Sequence, residues 1–352
     1  MSLGPLMVDL RSTALDAEER ELLAHPLVGG VILFSRNYAE PAQIADLIAR
    51  IHALRAPRLL VAVDHEGGTV QRFRAGFSPL PAISAIGALY DRDRRRALAL
   101  AEDCGWILAA ELRAVGVDFS FAPVLDLRAG VSTVVNDRAF HADPDTVVRL
   151  ARAHLRGIGV AGSVGVGKHF PGHGSVRADS HHELPVDPRP IEDIRLLDLV
   201  PFMRLAPRDL AGIMPAHVVY PALDDRPAGF SRRWLREILR TEIGFAGTIF
   251  SDDICMAGAV VAGSPPERAR AALDAGCDMV LVCNDRAAAI AVIDGLGEVI
   301  EPASQVRLMR MHGRRAPGLG ELQADARWQR VHATLAAFDT APELDLRDDT
   351  VA

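Results

Sequence analysis

Apolar residues in this chain gather in short blocks rather than in long periodic stripes. Eight blocks have the length of a strand: 5–10 (PLMVDL), 29–34 (GGVILF), 58–66 (RLLVAVDHE), 117–126 (VDFSFAPVLD), 164–170 (VGVGKHF), 211–217 (AGIMPAH), 247–252 (GTIFSD) and 278–283 (DMVLVC). Between them run longer stretches of helical character, at 16–24, 41–54, 92–116, 144–159, 191–205, 231–244 and 265–276. Several open near Asp or Ser and close on Gly, residues that satisfy helix ends. Strands that are apolar nearly throughout are buried on both faces, as parallel strands under helices are. Eight such units predict an α/β fold of the closed (β/α)8, TIM-barrel type. The pattern implies one catalytic domain over residues 1–340, closed by C-terminal helices, with 341–352 as a frayed acidic tail. A doubly wound open sheet is the alternative. It calls for a glycine-rich phosphate turn, yet the candidate DHEGG (64–68) leads into TVQRF rather than into a helix.

Composition narrows the function. With 49% hydrophobic and 24% charged residues among 352, the chain has the balance of a globular protein with a sizeable core. A net charge of −7, with basic residues spread along the helices, disfavours nucleic acid as a partner. Cys104, Cys255, Cys277 and Cys283 form no CxxC pair and no disulfide framework, so they read as reduced thiols. The N-terminus has neither a basic leader nor an apolar run long enough for a membrane, which predicts a cytoplasmic protein without a membrane partner, expected to be a monomer.

One stretch stands apart. Residues 167–185, GKHFPGHGSVRADSHHELP, put four histidines, an aspartate and the only lysine of the chain, Lys168, on a loop rich in Gly and Ser. Elsewhere, too, charge collects where the apolar blocks end: Asp64 and Glu66, Asp126, Lys168 and His169, His217, Asp252 and Asp253. In a barrel, those ends share one face. Three chemistries fit. A metal-dependent hydrolase would use His169, His173, His181, His182 and Asp252, though in no recognised ligand spacing. A Schiff-base aldolase would use Lys168. Glycoside hydrolysis needs an anion at the anomeric carbon and a proton donor at the leaving oxygen. Asp252 suits the first task. Asp179 and His181, two residues apart on an extended segment, suit the second, with the carboxylate orienting and charging the imidazole.

At these residues the sequence resembles the glycoside hydrolase family 3 β-N-acetylhexosaminidases, and among them the bacterial enzymes of peptidoglycan recycling. The motifs are VDHEGGTVQRF (63–73), NDRAF (136–140), KHFPGHG (168–174), ADSHHELP (178–185), IMPAH (213–217) and FSDDICM (250–256). The resemblance implies a retaining exo-glycosidase without metal or cofactor, releasing N-acetylglucosamine from 1,6-anhydro-N-acetylmuramic-acid muropeptides. It assigns Asp252 as nucleophile, His181 as acid/base, Asp179 as its partner, and Asp64, Arg72, Arg138, Lys168 and His169 as sugar-binding residues. His65 stands where the family more often has Gln, and Asn136 where Gly is commoner. The loop's Pro171, Gly172, Gly174 and Ser175 suggest a swing that brings His181 in with substrate. The aglycone, and water against phosphate as acceptor, stay open.

Overall fold

The computed structural model describes residues 2–132, 134–177, 184–297, 299 and 301–338. Eight segments form the parallel strands: β1 Leu6–Asp9, β2 Val28–Leu33, β3 Leu60–Val63, β4 Phe119–Ser120, β5 Val166–Phe170, β6 Gly212–Pro215, β7 Thr248–Ile249 and β8 Val280–Val282. They make a five-stranded sheet in the order β8-β1-β2-β3-β4 and a three-stranded sheet in the order β7-β6-β5. Single parallel bridges join the two, Val124 to Lys168 at one side and Phe250 to Met279 at the other. Each segment therefore neighbours the one before it, and the last pairs with the first.

The core divides as the pleat requires. Successive strand residues point to opposite faces. Met7, Ile32, Leu60, Ala62, Val166 and Leu281 enter one cluster, whose centre is an aromatic knot of Phe119, Phe121 and Phe250 with ring centroids 5.3–5.4 Å apart. Leu6, Val8, Val31, Leu33, Val61 and Val63 face the other way, into the larger cluster shared with the helices.

Helix ends follow local rules. Asp93, Asp143 and Asp285 each accept an amide of the first turn, and Asp16 forms a reciprocal cap with Glu19. Two expected helices differ in detail. The stretch 191–205 is two short helices, Ile191–Leu196 and Val200–Leu205, because Pro201 lacks the amide that a continuous helix needs. The stretch 231–244 holds Arg233–Glu242 in the wider π form, seen in the Ile243 amide reaching back five residues to the Ile238 carbonyl at 2.8 Å. The C-terminal helix Ala326–Ala336 docks through Trp328 Nε1, which donates to the buried Glu111 at 2.8 Å. Among the described residues no helix is long and apolar enough to cross a membrane.

Candidate active site

The polar residues that end the apolar blocks meet in three groups. The first surrounds Lys168 on β5, whose side chain has no contact with solvent. Its Nζ lies 2.6 Å from Asp64 Oδ1 and 2.7 Å from Glu66 Oε1. Glu66 also accepts from Arg138 Nε at 2.8 Å and Nη2 at 2.7 Å, a two-pronged ion pair from the turn Asn136–Arg138. Burial pushes the Glu66 carboxyl up, but Arg138 and Lys168 outweigh it and hold the group well below the usual carboxylate range. Burial likewise lowers Lys168, and Asp64 and Glu66 more than offset this, so the ammonium is raised. A lysine held cationic is the reverse of an amine readied to attack a carbonyl, which weighs against the aldolase.

The EGG sequence makes this geometry possible. After Glu66 the chain turns back in a two-strand hairpin, His65–Gly67 against Val70–Gln71. Gly67 and Gly68 have φ of +115° and +58°, and a Cβ on Gly67 would sit 2.6 Å from the Pro81 carbonyl oxygen. The hairpin buries Arg72, with its guanidinium carbon 5.7 Å from the centre of the Phe34 ring. His65, the departure from the family pattern, packs edge-on to Phe73, and burial lowers its pKa to about 3, so it stays neutral.

The second group is built on Asp126. One oxygen accepts from His169 Nδ1 at 2.7 Å, and the other accepts the amides of His173 at 2.7 Å and His169 at 3.2 Å. Burial raises the Asp126 carboxyl, but the His169 imidazole and these bonds hold it below its ordinary value. A carboxylate accepts only, so Nδ1 carries the proton and His169 presents Nε2 as its second function. Asp126 also pins the loop. The Tyr220 hydroxyl donates to the Gly172 carbonyl at 2.7 Å, Ser175 Oγ to Asp198 at 3.2 Å, and a Cβ on Gly174 would collide with the Leu127 carbonyl at 1.9 Å. The residues expected to lend pliability, Pro171 to Ser175, are thus tied to the frame. Asp179, His181 and His182 lie outside the described residues.

The third group follows β7. Asp252 is buried, and its Oδ1 accepts the Asp253 amide at 2.8 Å. Asp253 turns away to accept the amides of Cys255 at 2.9 Å and Cys283 at 3.0 Å, and burial pushes its carboxyl up to about 7. His217 Nε2 lies 3.0 Å from the Asp253 carbonyl, and its ring stacks on Phe230. Asp253 and His217 therefore brace the turn that carries Asp252. Burial raises the Cys255 thiol, as expected of an inert packing residue. Trp234 is fully buried against Phe170 and Tyr220, a core position.

Two residues left out of the expected site are its anchors, Glu66 and Asp126. Both were visible as charges closing an apolar block. Their partners were not, because Arg138 lies 72 residues from Glu66 and His169 43 from Asp126. Among the described residues no three His, Cys, Asp or Glu side chains are grouped to hold a metal ion.

Residues 6–312 match the family model described as the glycosyl hydrolase family 3 N terminal domain. The chain belongs to glycosyl hydrolase family 3. It is a glycoside hydrolase, and the wider comparison agrees. A β-hexosaminidase of Thioalkalivibrio sulfidiphilus is 57% identical over 346 residues, 98% of this chain and 99% of the relative. A β-hexosaminidase of Thiobacillus denitrificans is 54% identical over 353 residues, 99% of this chain and 98% of the relative. The crystal structure of NagZ from Neisseria gonorrhoeae in complex with N-trifluoroacetyl-D-glucosamine superposes with a TM-score of 0.90 at 43% identity, covering 96% of this chain and 98% of that one. In this chain Lys168, Asp64 and Arg138 form one cluster with Glu66, while His169 is tethered separately to Asp126.

Proposed function

We propose that this chain is a retaining exo-β-N-acetylglucosaminidase that removes N-acetylglucosamine from 1,6-anhydro-N-acetylmuramic-acid muropeptides during cytoplasmic cell-wall recycling. In this reading the eight strands close into one (β/α)8 barrel within a single domain over 1–340, and the protein acts as a monomer without metal or cofactor. The observation that carries it is Asp252: a buried carboxylate just past β7, steadied by a backbone amide, in a chain whose strand ends also carry Asp64, Lys168 and His169. The relatives' name and the N-acylated glucosamine bound to NagZ support the sugar; the recycling substrate rests on the family resemblance.

The chemistry follows from charge. Asp252 attacks the anomeric carbon as a carboxylate and forms a glycosyl ester, while His181, charged beside Asp179, protonates the leaving oxygen. Neutral His181 then takes a proton from water, which releases the sugar with its configuration retained. An imidazole pKa near ~6.5 serves both steps. Asp64 accepts sugar hydroxyls. Lys168 has three N–H donors and spends two on carboxylates, so its third serves the ligand, together with His169 Nε2 and the guanidinium groups of Arg72 and Arg138.

The test is hydrolysis of an aryl β-N-acetylglucosaminide by wild type, Asp252→Ala and wild type with a chelator. Loss of turnover by about a thousandfold or more in the variant alone is expected. Loss with the chelator alone would favour the metal hydrolase, and borohydride trapping at Lys168 the aldolase. Products made with and without phosphate decide the acceptor, and water is expected.

A further inference from the structure

At the end of the strands opposite Asp252 lies a cleft of about 630 Å³ whose charge does not match the rest of the molecule. It opens beside Pro5, just before β1, and beside Cys277 and Asp278, just before β8. Five arginines line it, Arg232, Arg236, Arg240, Arg270 and Arg307, against the three acids Asp274, Asp278 and Glu301, so the lining carries a net positive charge. Arg240 and Arg307 form the floor, sharing the buried Asp278 at 2.8 and 2.6 Å. Two cations on one anion leave that floor positive. At the rim, Arg232, Arg236 and Arg270 are exposed, and among the described residues none has a carboxylate within ion-pair distance. General basicity is no explanation in a chain of net charge −7.

The alignment of the forks has a structural cause. Arg232, Arg236 and Arg240 recur every four residues along the π-helical stretch Arg233–Glu242 and its cap, so their side chains leave one face. Like charges at that spacing repel, a cost that a bound anion would relieve. Planar guanidinium groups bind phosphate oxygens in pairs. The cleft exceeds one phosphate in size, and Leu273 and Val299 add an apolar wall.

We propose that this cleft is a second, non-catalytic site for an organic oligophosphate, a molecule with two or more phosphate groups on a body that the apolar wall accepts. ATP is the probe, titrated calorimetrically into the full-length protein at about 0.15 M salt, where loose surface attraction is screened. Saturable binding is expected, weakened about tenfold by Arg236→Ala and by Arg270→Ala, each a lost charge-assisted contact. Both variants should hydrolyse the aryl glycoside at the wild-type rate, which also shows that they fold. No saturation by millimolar ATP, binding unaltered in both variants, or citrate binding as tightly as ATP would each overturn the proposal.

Discussion

Lys168→Met tests the electrostatic frame of the active site. The ammonium lies 2.6 Å from Asp64 and 2.7 Å from Glu66, with no part of the side chain in solvent. Methionine keeps the length of the stem and removes the charge. Glu66 retains both hydrogen bonds from Arg138, so Asp64 is the group left buried without the cation bonded to it. Removing one side of a buried ion pair costs about 3–5 kcal/mol. The orphaned carboxylate has one escape, proton uptake, which costs ~1.4 kcal/mol for each pH unit above the ordinary carboxyl value of ~3.9. That caps the loss at about 4 kcal/mol near pH ~7 and about 1.5 kcal/mol near pH ~5. The penalty must therefore grow with pH. Wild type does not blur this window, because Glu66 is held below the usual carboxylate range and its stabilisation is lost only in stronger acid. Urea unfolding of wild type and variant at both pH values measures the difference. Adding Asp64→Asn removes the orphaned charge and should restore most of the loss at neutral pH. A deficit under about 1 kcal/mol, or an equal deficit at both pH values, would refute the idea that this lysine neutralises two buried carboxylates.

Three further outcomes follow from the same geometry. Asp126→Ala deprives His169 Nδ1 and two amides of their acceptor, so stability should fall by about 2–4 kcal/mol and KM should rise; an unchanged KM and urea midpoint would contradict the tether. Burial raises Asp253 to about 7, so its protonated form stabilises the fold fully below the unfolded value of ~3.9, and that contribution is lost as pH rises towards about 7. Asp253→Asn keeps an acceptor for the Cys255 and Cys283 amides and should flatten this decline in a pH series of urea midpoints; parallel curves would count against it. His181→Ala should slow single-turnover glycosylation about 10²–10⁴-fold for a glycoside with a poor leaving group, and far less for an activated aryl one. Equal slowing of both would remove His181 from the acid role.

The strands were legible because parallel strands buried on both faces need unbroken apolar residues, and all eight observed segments lie within a block or start one residue before it, as Val28 does. Helix continuity was less legible. The spacing of Trp234, Leu235, Ile238 and Leu239 suits an α-helix and a π-helix alike, and all four are buried. In the site, chemical type was readable from position at the strand ends, but the division of labour was not. Asp64 and Glu66 are two residues apart and read alike in the chain, yet only Glu66 receives the Arg138 fork. That difference depends on where a turn 72 residues onward arrives, which no local pattern encodes. The consequence reaches the ligand. Lys168 gives two of its three N–H donors and Arg138 two of its five to carboxylates, so what each can offer a sugar is the remainder, aimed by Glu66 and Asp64. The same logic holds for His169, whose Nδ1 is committed to Asp126 and whose Nε2 is thereby oriented. In the proposed function, recognition at this site is thus tuned by buried acids, Glu66 and Asp126 without touching the ligand and Asp64 while also accepting from it: they fix which hydrogen of each base is left over, and in which direction it points.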